Sequence, residues 1–471
     1  MEKSYDLAVI GAGPAGYEAA IRAAQLHLSV ALVEDRELGG TCLNRGCIPT
    51  KTILHTAELY QEAKRFDEIG LHADGVSFDY GALTHRKDEV VTRLRSGIEQ
   101  LVKANKIDLL SGTGQIVNAH TVRVTPPDAQ PVELTAEHIL IAAGSVPSRP
   151  PIPGSDLPEV VTSDELLGPD AKFYPRLVII GGGVIGAEFA AAMNNLGSDV
   201  TIIEAMGRIL PNMDRELSQS LAMLLKKRGV KIHTSASVER IEPGAPLSCV
   251  FTEKGESHAA EADGILIATG RRPNTAGLFA EGCTVDMERG AILTDEHFET
   301  SLKGVFAVGD ARKGIQLAHA ASAQGIAAVE YLAGHTPTVH LEAIPSCVYT
   351  SPEIASVGLT ADEAKEQGIE VKTGKSLTGP NGRSLIAGQE RGFAKLVFCA
   401  EDDVLIGAQL MCARATDLIS ELTQAVVHRL TAQEIASLVR PHPTFSELVT
   451  EAAEDALGGA IHAAPKRSFP L

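Results

Sequence analysis

Cys42 and Cys47 are separated by four residues in the stretch Gly39-Gly40-Thr41-Cys42-Leu43-Asn44-Arg45-Gly46-Cys47-Ile48-Pro49-Thr50-Lys51, and of all the residues in this chain they are best suited to covalent chemistry. Gly46 permits a tight backbone and Pro49 sits where a first helical turn tolerates it, so the pair is expected at the entry to a helix. Unpaired N–H groups and the helix dipole favour negative charge there, which lowers a thiol's pKa and makes it nucleophilic. For an arbitrary pair, two unconnected buried cysteines are the commoner outcome. The flanking Gly39-Gly40-Thr41 and Pro49-Thr50-Lys51 weigh against that outcome here.

Two further clusters suit phosphate. Gly11, Gly13 and Gly16 follow the apolar run 5–10, and Glu34 ends the next apolar run, 18 positions after Gly16. Glycines let a strand-to-helix turn approach a pyrophosphate, its N–H groups bind the oxygens, and the acid accepts a ribose hydroxyl. The same construction returns after residues 177–180 as Gly181, Gly183 and Gly186, with Glu204 again 18 positions on. Two dinucleotides are therefore expected. Later apolar runs end in Gly144 and Gly270, so the repeat is domain-sized. A carboxylate at Glu204 hydrogen-bonds a free 2′-hydroxyl and repels a 2′-phosphate, which favours NAD over NADP. Arg208 follows closely and reads as a solvated surface arginine.

Other candidates are weaker alone. Residues 304–310 end a strand in Gly309-Asp310, which presents a carboxylate at a turn; an Asx-turn or helix cap is the plainer reading. His442 would more often be an ordinary loop histidine. Thr444 to Glu447 fits a helix capping box.

Composition sets the limits. A chain of 471 residues, 44% hydrophobic and 22% charged, fits about three globular domains. A net charge of −18 disfavours nucleic acid and anionic membrane as partners. Seven scattered cysteines are not a secreted disulfide framework, and residues 1–4 leave no room for a signal peptide. The longest apolar run, 177–193, is broken by glycines and Glu188, so it reads as strand, turn and helix rather than a membrane span. A cytoplasmic or organelle-matrix location is expected, and no metal.

Together these segments resemble the flavoprotein disulfide reductases, from residue 5 to about residue 455, and are most similar to the branch that oxidises dihydrolipoyl groups. The resemblance implies an α/β fold with two Rossmann-like, doubly wound, three-layer dinucleotide-binding domains and a C-terminal α+β dimerisation domain. It implies FAD on residues 1–150, NAD on 151–274, a return to the FAD domain over 275–340, and an interface domain over 341–471. The Pro-rich crossover 147–154 and residues 270–274 mark the boundaries.

In this resemblance FAD is held by Gly11, Gly13, Gly16, Glu34, Thr41, Lys51, Gly114, Gly144, Ser145, Asp310, Leu317, Ala318 and His319, and NAD by Gly181, Gly183, Gly186, Glu204 and Gly270. Gly112-Thr113-Gly114 is the expected turn towards adenine. Cys42 and Cys47 form the redox disulfide, Lys51 pairs with Glu188 near the flavin, and His442, oriented by Glu447, reaches the disulfide of a partner subunit. The implied reaction moves two electrons from a dithiol through this disulfide and FAD to NAD in a ping-pong cycle. The implied partners are a second copy of the chain and the lipoyl-carrying subunits of 2-oxo acid dehydrogenase or glycine cleavage complexes. Ala143, Gln324 and Arg440 stand where relatives have Thr, an acid and His. Reduction of another low-molecular-weight disulfide, a docking role and redox sensing remain as alternatives. Mercuric reductases and large thioredoxin reductases are disfavoured because no cysteine pair follows Cys412.

Overall fold

The first strand, β1 (Ser4–Ile10), has no polar residue after Asp6, the pattern of a strand covered on both faces. The computed structural model describes residues 4–389 and 391–463, and β1 lies at the centre of its first sheet. Leu7 and Val9 pack into one core with the alanines of the following helix, while Ala8 and Ile10 pack into a second core with Ile116, Val122 and Ile139. Each buried Leu, Val or Ile side chain among these contributes about 1.5–3 kcal/mol.

The chain continues through α1 (Pro14–Gln25), β2 (Val30–Glu34), α2 (Gly40–Arg45), α3 (Cys47–Lys64), α4 (Tyr80–Ala104), β3 (Asp108–Ser111), β4 (Thr113–Asn118), β5 (Thr121–Thr125) and β6 (Val132–Ile141). The strand order is β3-β2-β1-β6-β5-β4. The members β3, β2, β1 and β6 are parallel, β6-β5-β4 is an antiparallel meander, and Val305–Ala307 returns to pair parallel with β6. Gly114 lies inside β4, not in a turn, because the meander extends the pairing through it.

Two compact units emerge. The first comprises Met1–Gly181, Val238–Val250 and Ala259–Leu341; the second comprises Gly182–Ser237, Phe251–His258 and Glu342–Leu471. In the first, Arg176–Ile180 pairs parallel with Gly264–Ile267, which pairs parallel with Val160–Thr162. The two crossovers meet as an antiparallel ribbon, Arg271 opposite Pro147 and Pro273 opposite Ser145. Prolines are tolerated there because each strand of a two-stranded ribbon has an outward edge.

In the second unit, Asp199–Glu204 pairs parallel with Lys231–Thr234. Its larger sheet is antiparallel, in the order Ser346–Val348, Glu353–Gly358, Leu405–Cys412, Phe393–Cys399, Val371–Leu377. Helices Ala415–Val427 and Glu447–Ala456 share its core through Ile419, Leu422, Leu448 and Val449. A Cβ on Gly374 would lie 1.8 Å from Ala452 O, so helix backbone rests directly on the strand. Among the described residues no helix is long and apolar enough to cross a membrane.

Candidate active site and nucleotide turns

Gly11 has φ +99°, and a Cβ there would sit 2.4 Å from Ala142 O, so only glycine turns the chain from β1 into α1 beside β6. Gly16 abuts Gly11 O in the same way. Gly13 is the N-cap of α1 and no side chain caps it, which leaves the first-turn N–H groups facing outward from the positive end of the dipole. Glu34 braces the turn: Oε2 accepts the Ala12 N–H at 2.6 Å and Oε1 accepts the Arg36 N–H at 2.9 Å. Burial raises its pKa against these two bonds. A carboxylate has about four lone-pair sites, so acceptor capacity remains for a hydroxyl.

The thiol segment hangs from this turn. The Gly39 N–H donates to Ala12 O at 2.8 Å, and a Cβ on Gly40, with φ +56°, would lie 2.6 Å from Gly13 Cα. In place of one helix entry there are two helices, because Gly46, at φ −142° and ψ −110°, ends α2 and starts α3. Cys42 therefore sits within α2, whereas Cys47 is the first residue of α3. The hydrogen bond with Cys47, burial and the charge of Cys47 push the Cys42 thiol well above its ordinary pKa, with Lys51 opposing. The expected lowering thus fails for Cys42. The helix-terminus argument applies only to Cys47, the first residue of α3. Asn44, absent from the sequence candidates, clasps the loop by donating from Nδ2 to Leu38 O and Gly40 O, both at 2.9 Å.

A second knot joins residues far apart in sequence. Ser145 Oγ donates to Asp310 Oδ2 at 2.6 Å and accepts from Arg271 Nε at 2.7 Å. Arg271 also donates to Ser145 O at 2.7 Å and reaches Thr41 Oγ1 at 3.5 Å. Sequence reasoning names Thr41, Ser145 and Asp310 but misses Arg271; its place directly after Gly270 was the available signal. Burial raises the Asp310 pKa, with the Ser145 bond and the Arg271 charge opposing. Gln324 accepts the Gly309 N–H at 2.9 Å and so supports the Asp310 turn without adding charge. Leu317 is the N-cap of Ala318–Leu332, whose first turn includes His319 and lacks a side-chain cap. Gly114 lets β4 approach Ile10 and Val33, where a Cβ would lie 3.1 and 3.2 Å from their side chains. Gly144 and Gly270 take φ +69° and +110°.

The internal repeat holds at atomic detail. Gly181, at φ +110°, lies under Ala268 O as Gly11 lies under Ala142 O, at the same 2.4 Å for an added Cβ. In the second unit Gly183 is an uncapped N-cap with Gly186 buried in the helix behind it. Glu204 Oε2 accepts the Gly182 N–H at 2.5 Å and Oε1 the Met206 N–H at 2.6 Å, the pattern of Glu34. Arg208 is half-buried and also donates to Pro211 O at 2.9 Å and Met213 O at 3.2 Å. Glu188 is buried and accepts the Tyr349 N–H at 3.0 Å.

Also in the second unit, His442 Nδ1 lies 2.7 Å from Glu447 Oε1, and Glu447 Oε2 accepts the Thr444 N–H at 2.8 Å. An ionised carboxylate only accepts, so Nδ1 carries the hydrogen and Nε2 is left to accept a proton. The imidazole is 78% exposed and within reach of an incoming group. The capping box is only half made. The helix begins at Glu447 with Ser446 as N-cap, and Thr444 Oγ1 donates to Pro441 O instead.

Residues 5–325 match the family described as pyridine nucleotide-disulphide oxidoreductase, and residues 344–453 match that family's dimerisation domain. The chain is similar to a dihydrolipoyl dehydrogenase of Bacillus subtilis, 39% identical over 465 residues and 97% of both chains. It is 40% identical to the dihydrolipoyl dehydrogenase of Geobacillus stearothermophilus over 96% of both. Among solved structures it is similar to LpdA of Mycobacterium tuberculosis, with TM-score 0.88 and 27% identity, covering 95% of this chain and 99% of the other. The HOCl-induced flavoprotein disulfide reductase RclA of Escherichia coli aligns with TM-score 0.84 and 30% identity, covering 96% and 99%.

Proposed function

The chain belongs to the pyridine nucleotide-disulphide oxidoreductase family, and from that premise we propose that it oxidises protein-bound dihydrolipoyl groups, moving electrons through Cys42, Cys47 and FAD to NAD. The observation that carries this reading is the joint between thiol segment and nucleotide turn, Gly39 N–H on Ala12 O and Gly40 against Gly13, which hangs a redox pair on a dinucleotide site.

The residues fit both cofactors. The uncapped first turn of α1, the glycine faces and the Asp310 carboxylate suit FAD; Gly181, Gly183, Gly186, Gly270 and Glu204 suit NAD. Bound FAD would supply a two-electron acceptor for the reduced Cys42–Cys47 pair and a hydride donor to NAD. Residues 1–150 with 275–340 form the FAD part of this reading, 151–274 the NAD part and 341–471 the interface. With flavin bound, Lys51 would supply a positive charge that stabilises the reduced ring.

The side chains of the protein do the proton and sulfur chemistry. His442 Nε2, from a partner subunit, takes a proton from one substrate thiol while Nδ1–H stays on Glu447. The substrate thiolate attacks Cys42 Sγ of the Cys42–Cys47 disulfide, the S–S bond breaks, and Cys47 leaves as a thiolate at the N-terminus of α3. The second substrate thiol loses its proton to solvent and attacks the substrate sulfur of the mixed disulfide. Cys42 is released, and takes the proton from His442. A thiol pair cycling with NAD suits the cytoplasm, and the dithiols are those of lipoyl-carrying subunits.

The test is NADH production by the purified holoprotein given dihydrolipoamide and NAD, with NADP in parallel and Cys42→Ser as control. Turnover with NAD that vanishes in the variant supports the reading. Flavin reduction by NADH with no dihydrolipoamide oxidation sinks it and turns attention to other low-molecular-weight disulfides.

A further inference from the structure

We propose that Arg440 is a positioning residue that holds the His442–Glu447 pair in its working geometry; the inference rests on the dithiol-oxidising reading above. Arg440 stands two residues before His442, and its side chain is only 7% exposed. Its guanidinium ties three helices together. One terminal nitrogen donates to Ile435 O at 3.1 Å, in the short helix Ala432–Ala436, and to Thr450 Oγ1 at 2.5 Å. The other pairs with the Glu421 carboxylate on Ala415–Val427. Thr450 lies three residues after Glu447 on the helix that carries it, so the Arg440–Thr450 bond fixes the first turn from which Glu447 reaches His442. The loop 440–447 is thereby pinned at both ends.

A purely structural role is a poor account of this arginine. Its Nε is buried and has no acceptor among the described residues, and an unmet donor on a buried cation costs stability. An apolar side chain of similar volume would serve packing better. What the guanidinium adds is a rigid planar fork whose terminal nitrogens reach Ile435, Thr450 and Glu421 at once.

The experiment compares Arg440→Gln and Arg440→Lys with wild type as holoprotein. Three readouts are followed: rapid reduction of bound flavin by dihydrolipoamide across pH, reduction by NADH, which does not use His442, and the Nδ1–H signal of His442 by NMR. In the Gln variant, dithiol-driven reduction falls by roughly ten- to a hundredfold. Its pH profile shifts and the Nδ1–H signal broadens, while NADH-driven reduction holds. The Lys variant, which keeps charge but loses the fork, is intermediate. Unchanged dithiol reduction in the Gln variant overturns the inference, as does an equal fall of both half-reactions. If wild type itself is not reduced by dihydrolipoamide, the functional reading fails instead.

Discussion

Glu204 and Glu34 place both carboxylate oxygens on backbone N–H groups of their own turns, so each acid shapes its nucleotide loop as well as offering a hydroxyl acceptor. Glu204→Ala leaves the Gly182 and Met206 N–H groups without that acceptor and is expected to cost about 1–3 kcal/mol, read by thermal unfolding, together with a raised KM for NAD. At Glu447, burial alone would raise the pKa, but the Thr444 N–H, the His442 ring and the charges of His442 and His462 hold it below its ordinary value. With a lowered folded pKa, its contribution is complete above the ordinary carboxylate range and is lost only as pH falls through the lowered value. Glu447→Gln frees the ring tautomer and should slow dithiol oxidation by roughly a hundredfold or more, leaving NADH-driven flavin reduction in place.

At the scale of elements, the consequential feature is the pair of short connections around α2. The contact of Gly40 with Gly13 lets the thiol segment lie against the α1 turn, and Gly46 gives Cys42 and Cys47 different helices. Gly40→Ala forces a Cβ to 2.6 Å from Gly13 Cα at a left-handed φ. A loss of about 1–3 kcal/mol is expected, with a lower flavin-to-protein absorbance ratio. The helix Glu447–Ala456 has its own pH-sensitive contact. His462 Nδ1 lies 2.6 Å from Glu451 Oε1, and that bond, the Glu451 charge and those of Glu447 and Glu454 raise its pKa. With a raised folded pKa, this contact is complete below the ordinary histidine value and is lost as pH rises through the raised one. Amide exchange near His462, corrected for its intrinsic rate, should therefore accelerate as pH rises above the ordinary histidine value. Solvent screening keeps the effect small.

For the whole molecule, the match of residues 344–453 to a dimerisation domain gives the proposed sharing of sites between subunits a direct test. Cys42→Ser and His442→Ala homodimers should both be inactive towards dihydrolipoamide. Refolding an equal mixture should recover about a quarter of wild-type activity, because about half the dimers are hybrids with one intact site each. No recovery, with hybrids demonstrated, would place Cys42 and His442 of the same subunit in one site.

Much of this was legible in the chain. The two glycine turns with their acids, the strand 4–10, the helix 14–25 and the crossovers near 147 and 271 follow from local rules of sterics, periodicity and capping, which act over a few residues. The raised pKa of Cys42 was not legible, since it depends on burial and on Gly46 splitting one expected helix into two. Gly114 was misread as a turn because strand pairing is a contact with distant residues. Arg271 escaped notice as a site residue, and Arg440 was read only as a departure from relatives, for the same reason. The value of a guanidinium lies in which acceptors surround it, and Ser145, Thr41, Glu421 and Thr450 come to those arginines only when the chain folds. Residue types and spacings decided which chemistry the chain can hold; tertiary packing decided how far the Cys42 thiol is desolvated and what steadies the histidine, because both depend on burial and on contacts between residues distant in sequence.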